Sequence, residues 1–302
     1  MTTAAGMLRP GPSPRMRAAG PVLVVVMALL VLWYALAVAL NAAWARDTAA
    51  RAGETLSPAA LVGATLNQER PLLPVPHQVA AELWRTTVLV SPGSKRSLLY
   101  HAWVTLAATL AGFGLGAGLG ILLAVGIVHD RTAEASVMPW VIGSQMVPIL
   151  AIAPMIIVVL SSIGISGLVP KAVISMYLSF FPVAVGMVRG LRSPDRILLD
   201  QMWTWRASRW QTFAKLRWPA AVPWLFASLK VAVAASLVGT IIGELPTGAV
   251  AGLGARMLSG SYYGQTVQIW AALAMASALA AGLVGLIGVA ERVTARVMGG
   301  RP

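Results

Sequence analysis

Six apolar runs, each long enough to cross a lipid bilayer as a helix, limit the folds open to this chain. A bilayer core about 30 Å thick requires about 20 apolar residues in a helix. The runs are apolar on every face, whereas strands of a membrane barrel alternate apolar and polar residues over about ten positions. The sequence therefore predicts an all-α integral membrane protein. The six predicted spans are 21–43, 100–128, 137–161, 169–189, 220–243 and 266–290.

The composition agrees with a membrane location. Hydrophobic residues make up 58% of the 302 residues and charged residues only 11%, which leaves too little polar surface for a soluble domain. The net charge of +13 would suggest nucleic acid in a soluble protein, but membrane proteins concentrate Lys and Arg in cytoplasmic loops. We therefore expect membrane lipid and no nucleic acid among the partners. The chain has no cysteine, which excludes disulfides and thiolate metal sites.

The first span and the charges around it predict the topology. The run 21–43 is longer than the hydrophobic region of a signal peptide, which is about 7 to 15 residues, so we expect an uncleaved span. If residues 1–20 form a cytoplasmic tail, most Lys and Arg residues fall in cytoplasmic segments. Both termini are therefore predicted to be cytoplasmic.

Residues 44–97 form the longest predicted connection, and we assign them to the extracytoplasmic side. A continuous helix is excluded there because the segment contains Pro58, Pro71, Pro74, Pro76 and Pro92. Residues 77–90 have the pattern of a short helix lying along the membrane surface, and an ordinary loop is the alternative. Residues 98–298 are the predicted five-helix core. It contains a basic segment at 190–219, called the basic loop below.

Glycines four residues apart mark one face of the second span. Gly112, Gly116 and Gly120 stack on that face, and small residues at this spacing allow two helices to approach closely in lipid. The run does not fit a dinucleotide-binding G-x-G-x-x-G motif, because the required glycine positions are occupied by other residues. The spacing therefore predicts helix packing.

Prolines and small polar residues gather in the third and fourth spans. A proline in a span frees a backbone carbonyl and kinks the helix, and helices interrupted in this way often line cavities. Kinks with no role in transport are the alternative. The candidate pathway-lining residues are Ser144, Gln145, Pro148, Pro154, Ser175 and Ser179.

Charged groups within the predicted spans are rare. Glu244 is predicted at the outer end of the fifth span and Glu291 at the inner end of the sixth, while Lys230 is within reach of the cytoplasmic interface and is interpreted as an anchor. Carboxylates inside the membrane would indicate coupling to protons or cations. The chain therefore looks poorly equipped to be a proton-driven carrier.

The basic loop combines cationic and aromatic side chains between the fourth and fifth spans. Its apolar residues recur at spacings near three and four, as in a helix that sets an apolar face into a groove. Ser193 to Asp195 fit a helix start, and Pro219 is predicted to end the helix before Pro223 opens the next span. The pattern favours two short helices that dock a soluble partner, and a basic helix lying on anionic lipid is the alternative.

The segment from Arg206 to Pro223, RASRWQTFAKLRWPAAVP, resembles the coupling-helix signature of permease subunits of bacterial ATP-binding cassette importers. The similarity extends over roughly residues 70–298 and is closest to the nitrate, sulfonate, taurine and pyrimidine-precursor branch. Further matches are LAGFGLG at 110–116, Pro148 to Pro154, Phe181-Pro182, GLRS at 190–193, Gly243-Glu244 and GLG at 252–254.

The resemblance also assigns a role to individual loop residues. It implies that the ATPase-coupling residues are Asp200, Arg206, Ala207, Ser208, Arg209, Trp210, Phe213, Lys215 and Pro219. The chain departs from the signature at Asp200-Gln-Met, where the family has Glu-Ala-Ala, and at Arg206, where the family has glycine. Because arginine is disfavoured at positive φ, we expect the turn to be reshaped or replaced by continuous helix.

The resemblance implies a transport subunit of a bacterial inner membrane, not an enzyme. It would form the path for a small anionic or heterocyclic solute, with no catalytic, cofactor or metal site of its own. Its implied partners are two copies of a cytoplasmic ATP-binding subunit that hydrolyses ATP, a second permease subunit in a homodimer or heterodimer, and an extracytoplasmic solute-binding protein. The alternative is an ion-coupled secondary transporter or channel whose basic loop binds lipid.

Overall fold

The computed structural model describes residues 14–246 and 251–299, with the side chains of residues 14–19 left aside. Regular structure in these ranges is entirely helical, so the predicted all-α membrane fold is confirmed. The helices are α1 (Pro14–Arg51), α2 (Pro58–Leu66), α3 (Pro76–Trp84), α4 (Leu98–His129), α5 (Arg131–Ser144), α6 (Ile149–Ser162), α7 (Leu168–Leu191), α8 (Arg196–Thr204), α9 (Arg209–Thr212), α10 (Trp218–Glu244), α11 (Leu253–Tyr262) and α12 (Thr266–Val297). Single π-helical turns follow α3 at Arg85–Leu89 and α9 at Phe213–Arg217.

The chain divides into two compact units, the first ending at Glu82 and the second beginning at Leu83. In the first unit, α1 is longer than the predicted span 21–43 at both ends, and residues 1–13 of the predicted tail lie outside the described residues. The buried Asn41 side chain holds the segment after α2: its Nδ2 donates to the Leu73 carbonyl at 2.9 Å, and its Oδ1 accepts from the Leu72 amide at 2.8 Å. This segment is therefore fixed to α1.

The region predicted as an extracytoplasmic connection is more helical than the sequence indicates. The helix expected at 77–90 is present as α3 and its π turn, whereas α2 was not predicted. Ser57 begins α2 by accepting from the Ala60 amide, and Pro58 stands in the first turn, where its missing N–H has no cost. The position of α3 relative to the membrane surface stays a prediction.

The second unit is built around α4, α7 and α10, which pack along most of their lengths. Their apolar contact centres on Val183, Met187 and Leu191 of α7, together with Ile127 of α4, each almost completely buried. Close packing is possible because small residues line the contact between α4 and α7. We call α4, α7 and α10 the frame helices. The basic loop connects α7 to α10 at one end of this frame.

The predicted third span at 137–161, in which prolines were expected to kink the helix, is divided into two helices. Helices α5 and α6 meet at an angle of 99° and are separated by residues 145–148. Pro148 has an extended ψ of 118° and precedes the first turn of α6, since it cannot donate a helical hydrogen bond and forces Val147 away from helical geometry. Within residues 14–246 and 251–299, five single helices are long and apolar enough to span a bilayer, and the bent pair makes a sixth span if it crosses once.

The prediction that Pro219 ends a helix is also wrong. The described chain is helical without a break from Arg209 to Glu244, and both Pro219 and Pro223 lie inside this stretch. Proline in an α-helix clashes with the carbonyl four residues earlier, which for Pro219 belongs to Lys215. The π turn at Phe213–Arg217, in which the Trp218 amide bonds the Phe213 carbonyl, widens the helix there and accommodates the ring.

Candidate functional site

The basic loop folds into two short helices, α8 and α9, joined by a tight turn at Arg206. Arg206 has a φ of 52°, and it is the one non-glycine residue with positive φ in the described part of the chain. Hydrogen bonds from the Arg206 amide to the Trp203 carbonyl and from the Ala207 amide to the Met202 carbonyl, both 2.9 Å, close the end of α8. Of the two alternatives expected at Arg206, the continuous helix is therefore wrong: the turn is present, with arginine at the left-handed position.

Capping bonds fix the start of α9 immediately after this turn. Ser208 Oγ accepts from the Gln211 amide at 3.2 Å, and Gln211 Oε1 accepts from the Ser208 amide at 2.8 Å, which completes a capping box. At the other end of the loop, Asp195 occupies the position before α8, but its side chain makes no capping hydrogen bond. Side-chain capping bonds therefore fix the start of α9 but not the start of α8.

Phe213 joins the basic loop to the helical frame. Its ring lies 5.2 Å from His129, 5.5 Å from Trp210 and 5.9 Å from Trp218, measured between ring centroids. The side chain also packs against the apolar cluster of α4 and α7. Phe213 therefore holds the loop in place, and the exposed aromatic residues are better placed to meet a partner.

Two polar contacts anchor the two ends of the basic loop. Arg217 Nη1 donates to the carbonyl of Leu191, the last residue of α7, at 3.2 Å. Arg192 forms an exposed ion pair with Glu134 of α5, with Nη2 and Oε2 2.7 Å apart. A movement of the loop is thereby linked to α5, α7 and α10.

The outer surface of the basic loop is aromatic and cationic. The Trp203, Trp205 and Trp210 side chains are 82%, 67% and 72% exposed. The remaining predicted coupling residues divide between exposed and half-buried positions: Asp200, Ser208, Arg209 and Lys215 are exposed, and Ala207 and Pro219 are half-buried. Exposed tryptophan beside arginine is the composition that dominates binding energy at protein interfaces.

A cavity of about 640 Å³ opens beside this surface. It is bounded by the junction of α4 and α5 on one side and by α8, α9 and the π turn on the other. The lining residues include Asp130, Arg131, Trp203, Ala207 and Arg209. A cavity with both charged and apolar walls can receive a protruding side chain of another protein.

The candidate pathway residues fall into two groups. Gln145, Pro148 and Pro154 are exposed at the bend between α5 and α6 and along α6. The half-buried Ser144 donates to the Val141 carbonyl at 2.8 Å, and its own carbonyl accepts from the Tyr177 hydroxyl. The lining role of these residues stays a prediction.

Ser175 and Ser179 lie instead at the contact of α4, α7 and α10, completely buried. The Ser175 hydroxyl donates to the Ser236 carbonyl at 2.9 Å, and the Ser179 hydroxyl donates to the Ser175 carbonyl at 3.0 Å. The predicted packing glycines face the same two serines and the backbone of α7: a Cβ at Gly112, Gly116 or Gly120 would lie 2.4 Å from Ser175 Cβ, 2.1 Å from Ser179 Oγ or 2.6 Å from the Phe180 carbonyl, respectively. The three glycines and the two serines therefore lie at contacts between helices of this subunit.

A buried ion pair that sequence reasoning missed lies at the opposite ends of the frame helices from the basic loop. Glu244, the last residue of α10, is 0% exposed, and Lys171, in the first turn of α7, is 6% exposed. Lys171 Nζ lies 3.4 Å from Glu244 Oε1, and the Thr105 hydroxyl donates to the same carboxylate at 3.0 Å. We call Thr105, Lys171 and Glu244 the buried polar cluster.

The buried polar cluster holds the segment that begins α11. The Gly254 amide donates to Glu244 Oε2 at 2.8 Å, the Leu253 amide donates to the Thr105 hydroxyl at 2.8 Å, and Lys171 Nζ donates to the Ala251 carbonyl at 3.0 Å. A carboxylate at a helix N-terminus satisfies free amides and complements the helix dipole. Glu244 therefore caps α11 from another helix. The sequence signal was present in Gly243-Glu244 and GLG at 252–254, but spacing alone does not reveal Lys171.

Another ion pair joins the frame to α12. Lys230 of α10, interpreted from sequence as an interfacial anchor, donates to the carboxylate of Glu291 on α12, and both side chains are about one third exposed. Lys230 thus has a protein partner. Among residues 14–246 and 251–299, no three His, Asp or Glu side chains form a group able to hold a metal ion.

Comparison with known proteins decides the family. Residues 116–299 match the model of the binding-protein-dependent transport system inner membrane component, a segment that covers more than half of the chain. The chain belongs to this family. The match includes the bent pair α5 and α6, the whole basic loop and two members of the buried polar cluster, Lys171 and Glu244.

Three relatives of this permease carry names of transport permeases. The chain is 30% identical over 225 residues to the riboflavin transport system permease protein of Chloroflexus aurantiacus, which covers 74% of this chain and 80% of the relative. It is 32% identical over 183 residues to the formylaminopyrimidine transport permease protein of Halalkalibacterium halodurans, covering 61% and 68%. A putative aliphatic sulfonates transport permease protein of Bacillus subtilis is 24% identical over 176 residues, covering 58% and 62%.

Family membership confirms the resemblance read from the basic loop. The chain is a multi-pass membrane permease subunit of an ATP-binding cassette importer, and its family is one of transport proteins, not enzymes. The family implies a complex with an ATPase and a binding protein.

Proposed function

We propose that this permease forms the translocation path for a small anionic or heterocyclic solute and is driven through its basic loop by a cytoplasmic ATP-binding subunit. The proposal rests on the geometry of that loop. Its turn at Arg206 is fixed by hydrogen bonds, its tryptophan side chains are exposed, and its two ends are anchored to α7 and α5. The ATP-binding subunit hydrolyses ATP, and the loop transmits its movement to the spans as a switch between two rigid states. The permease itself contributes no cofactor.

The proposed assembly contains two copies of the permease, two ATP-binding subunits and one extracytoplasmic solute-binding protein in the inner membrane. The range 98–298 acts as the membrane core, with both termini cytoplasmic and the 44–97 segment outside. The names of the three relatives support the solute class, since riboflavin and formylaminopyrimidine are heterocycles and aliphatic sulfonates are anions. The mass of the purified complex tests the copy numbers.

Docking is tested by co-purification with the ATP-binding subunit. We expect Trp203→Ala to weaken recovery of that subunit strongly, because exposed interface tryptophans carry much of the binding energy. Trp140→Ala is the matched control, since Trp140 is 80% exposed on α5 and lies outside the basic loop. Equal recovery in both variants would contradict the docking assignment.

Transport is tested in proteoliposomes that contain the complex. We expect solute uptake only when ATP is present on the side of the ATP-binding subunit and the solute-binding protein is present on the other. Uptake by the permease alone without ATP would support the alternative of an ion-coupled transporter.

Orientation is tested with single cysteines, because the natural chain has none. Gln201 on α8 and Ser261 on α11 are both exposed. We expect an impermeant maleimide to label Gln201→Cys only in inverted vesicles and Ser261→Cys only in right-side-out vesicles. The reverse pattern would place the basic loop outside and refute the proposal.

A further inference from the structure

We propose that Arg206 is a specificity-determining residue of this permease, which pairs with a carboxylate on the ATP-binding subunit. The inference rests on the proposed function, because it takes the partner of the basic loop to be that subunit. It adds a chemical requirement: the surface of the partner that meets the turn between α8 and α9 is acidic.

The backbone of Arg206 is the first argument. A φ of 52° is a left-handed conformation that glycine adopts freely and that crowds the Cβ of any other residue. The six described glycines with positive φ show that this chain uses glycine for such positions elsewhere. Arginine at this turn therefore lowers the stability of the isolated subunit relative to glycine.

The backbone hydrogen bonds around the turn hold Arg206 in this conformation, but its side chain gains no contact with a described residue in return. The Arg206 side chain is exposed, and it forms no hydrogen bond or ion pair with any described residue. Other cations of the same region are used internally: Arg192 pairs with Glu134, and Arg217 binds the Leu191 carbonyl. The guanidinium of Arg206 is thus available at the tip of the loop.

The surroundings of Arg206 favour a carboxylate as its partner. Arg196, Arg209 and Lys215 are exposed on the same loop and outnumber the exposed Asp195 and Asp200, so the field at the tip is positive. The exposed Trp203 and Trp205 lie immediately before the turn, and we expect them to exclude water from it when a partner is bound. A guanidinium in a dehydrated interface binds a carboxylate through two parallel hydrogen bonds.

A protein fits this surface better than a lipid headgroup. The turn is held rigid on both sides, by the bonds that close the end of α8 and by the Ser208 capping box. The cavity of about 640 Å³ beside it provides a recess between α8, α9 and the α4–α5 junction. A flat lipid surface has nothing to place in such a recess, whereas a protein side chain fills it.

Binding of the ATP-binding subunit to the full-length permease in nanodiscs tests the pairing. We expect Arg206→Gly to leave the thermal midpoint of the isolated permease unchanged or raised, and to weaken binding at least about ten-fold. Arg206→Glu should weaken it further, and Arg206→Lys should retain part of it. Arg292→Gln is the control, because Arg292 is exposed on α12 and carries the same charge.

Each outcome decides a different question. Wild-type affinity in Arg206→Gly would overturn this inference and leave the proposed function standing, whereas no binding by the wild type would overturn the proposed function itself. If Arg206→Gly instead loses only binding to vesicles with anionic lipid, the partner of Arg206 is a headgroup and the inference is wrong.

Carbodiimide coupling of the Arg206→Lys variant tests the acidic surface directly. The reagent joins an amine to a carboxylate that touches it, so position 206 should become linked to an Asp or Glu of the ATP-binding subunit, as located by mass spectrometry. The wild type supplies the background from Lys215. Links at Lys215 alone in the variant would contradict the pairing.

Discussion

Breaking the ion pair between Lys171 and Glu244 is expected to destabilise the permease more than any exposed ion pair does. Lys171→Met removes the cation paired with a carboxylate that is 0% exposed, while the Thr105 hydroxyl and the Gly254 amide still donate to that carboxylate. Removing one partner of a buried pair costs about 3–5 kcal/mol. Glu244→Gln leaves the Lys171 cation beside neutral acceptors, the glutamine amide oxygen and the Ala251 carbonyl, so we expect a loss of similar size.

The double variant Lys171→Met/Glu244→Gln is expected to lose less than the sum of the two single losses, because it leaves no buried charge uncompensated. A coupling free energy of about 2–3 kcal/mol is the predicted difference. Thermal unfolding in detergent, followed by the fraction that stays monodisperse, measures all three variants and the wild type. For a domain of this size a single loss corresponds to a lowered midpoint on the order of 10 °C.

The exposed pair of Arg192 and Glu134 provides the control cycle. Their side chains are 43% and 39% exposed, so removing either should cost less than about 1 kcal/mol. Additive losses at Lys171 and Glu244, or single losses as small as those of the control pair, would refute the reasoning. The buried polar cluster would then contribute packing alone.

Three further predictions concern local packing and capping. Gly116→Ala should destabilise the permease by about 1–3 kcal/mol, because the added Cβ would overlap atoms of α7. Gly118→Ala is the control and should be neutral or stabilising, because nothing lies within 4 Å of its Cβ. Thermal unfolding compares the two variants. Ser208→Ala should cost about 1 kcal/mol of local stability and be seen as faster amide exchange in α9. Asn41→Ala should cost about 1–3 kcal/mol, because the hydrogen bonds to the Leu72 and Leu73 backbone are lost. Proteinase K should then cleave the segment after α2 faster. Unchanged cleavage would show that other contacts fix this segment.

Span number and fold class were predictable because both depend on the length of apolar runs. Pro148 predicted a kink in the third span, but the size of the bend at residues 145–148 was not predictable, because local composition does not give the angle between two apolar helices. Pro219 misled the prediction for a different reason. Proline is a reliable signal against a regular α-helix, but the preceding π turn at Phe213–Arg217 removes the clash on which that signal depends.

Local sequence patterns predicted the two helices of the basic loop but not the conformation of the turn between them. The two helices follow from short-range spacing, and the turn between them was expected to change because Arg206 disfavours positive φ. The hydrogen bonds at both sides of the turn outweigh this preference. The buried polar cluster lay beyond reach, because Lys171 and Glu244 are 73 residues apart and each resembles an end-of-helix charge when considered alone.

The unbroken helix from Arg209 to Glu244 has a mechanical consequence. Its 36 residues, at about 1.5 Å per residue, make a rod about 54 Å long. One end carries Trp210 and the other ends in the carboxylate that grips the start of α11. A force applied at Trp210 is therefore transmitted to Glu244 along one helix. The π turn beside Pro219 is the point at which this helix can bend.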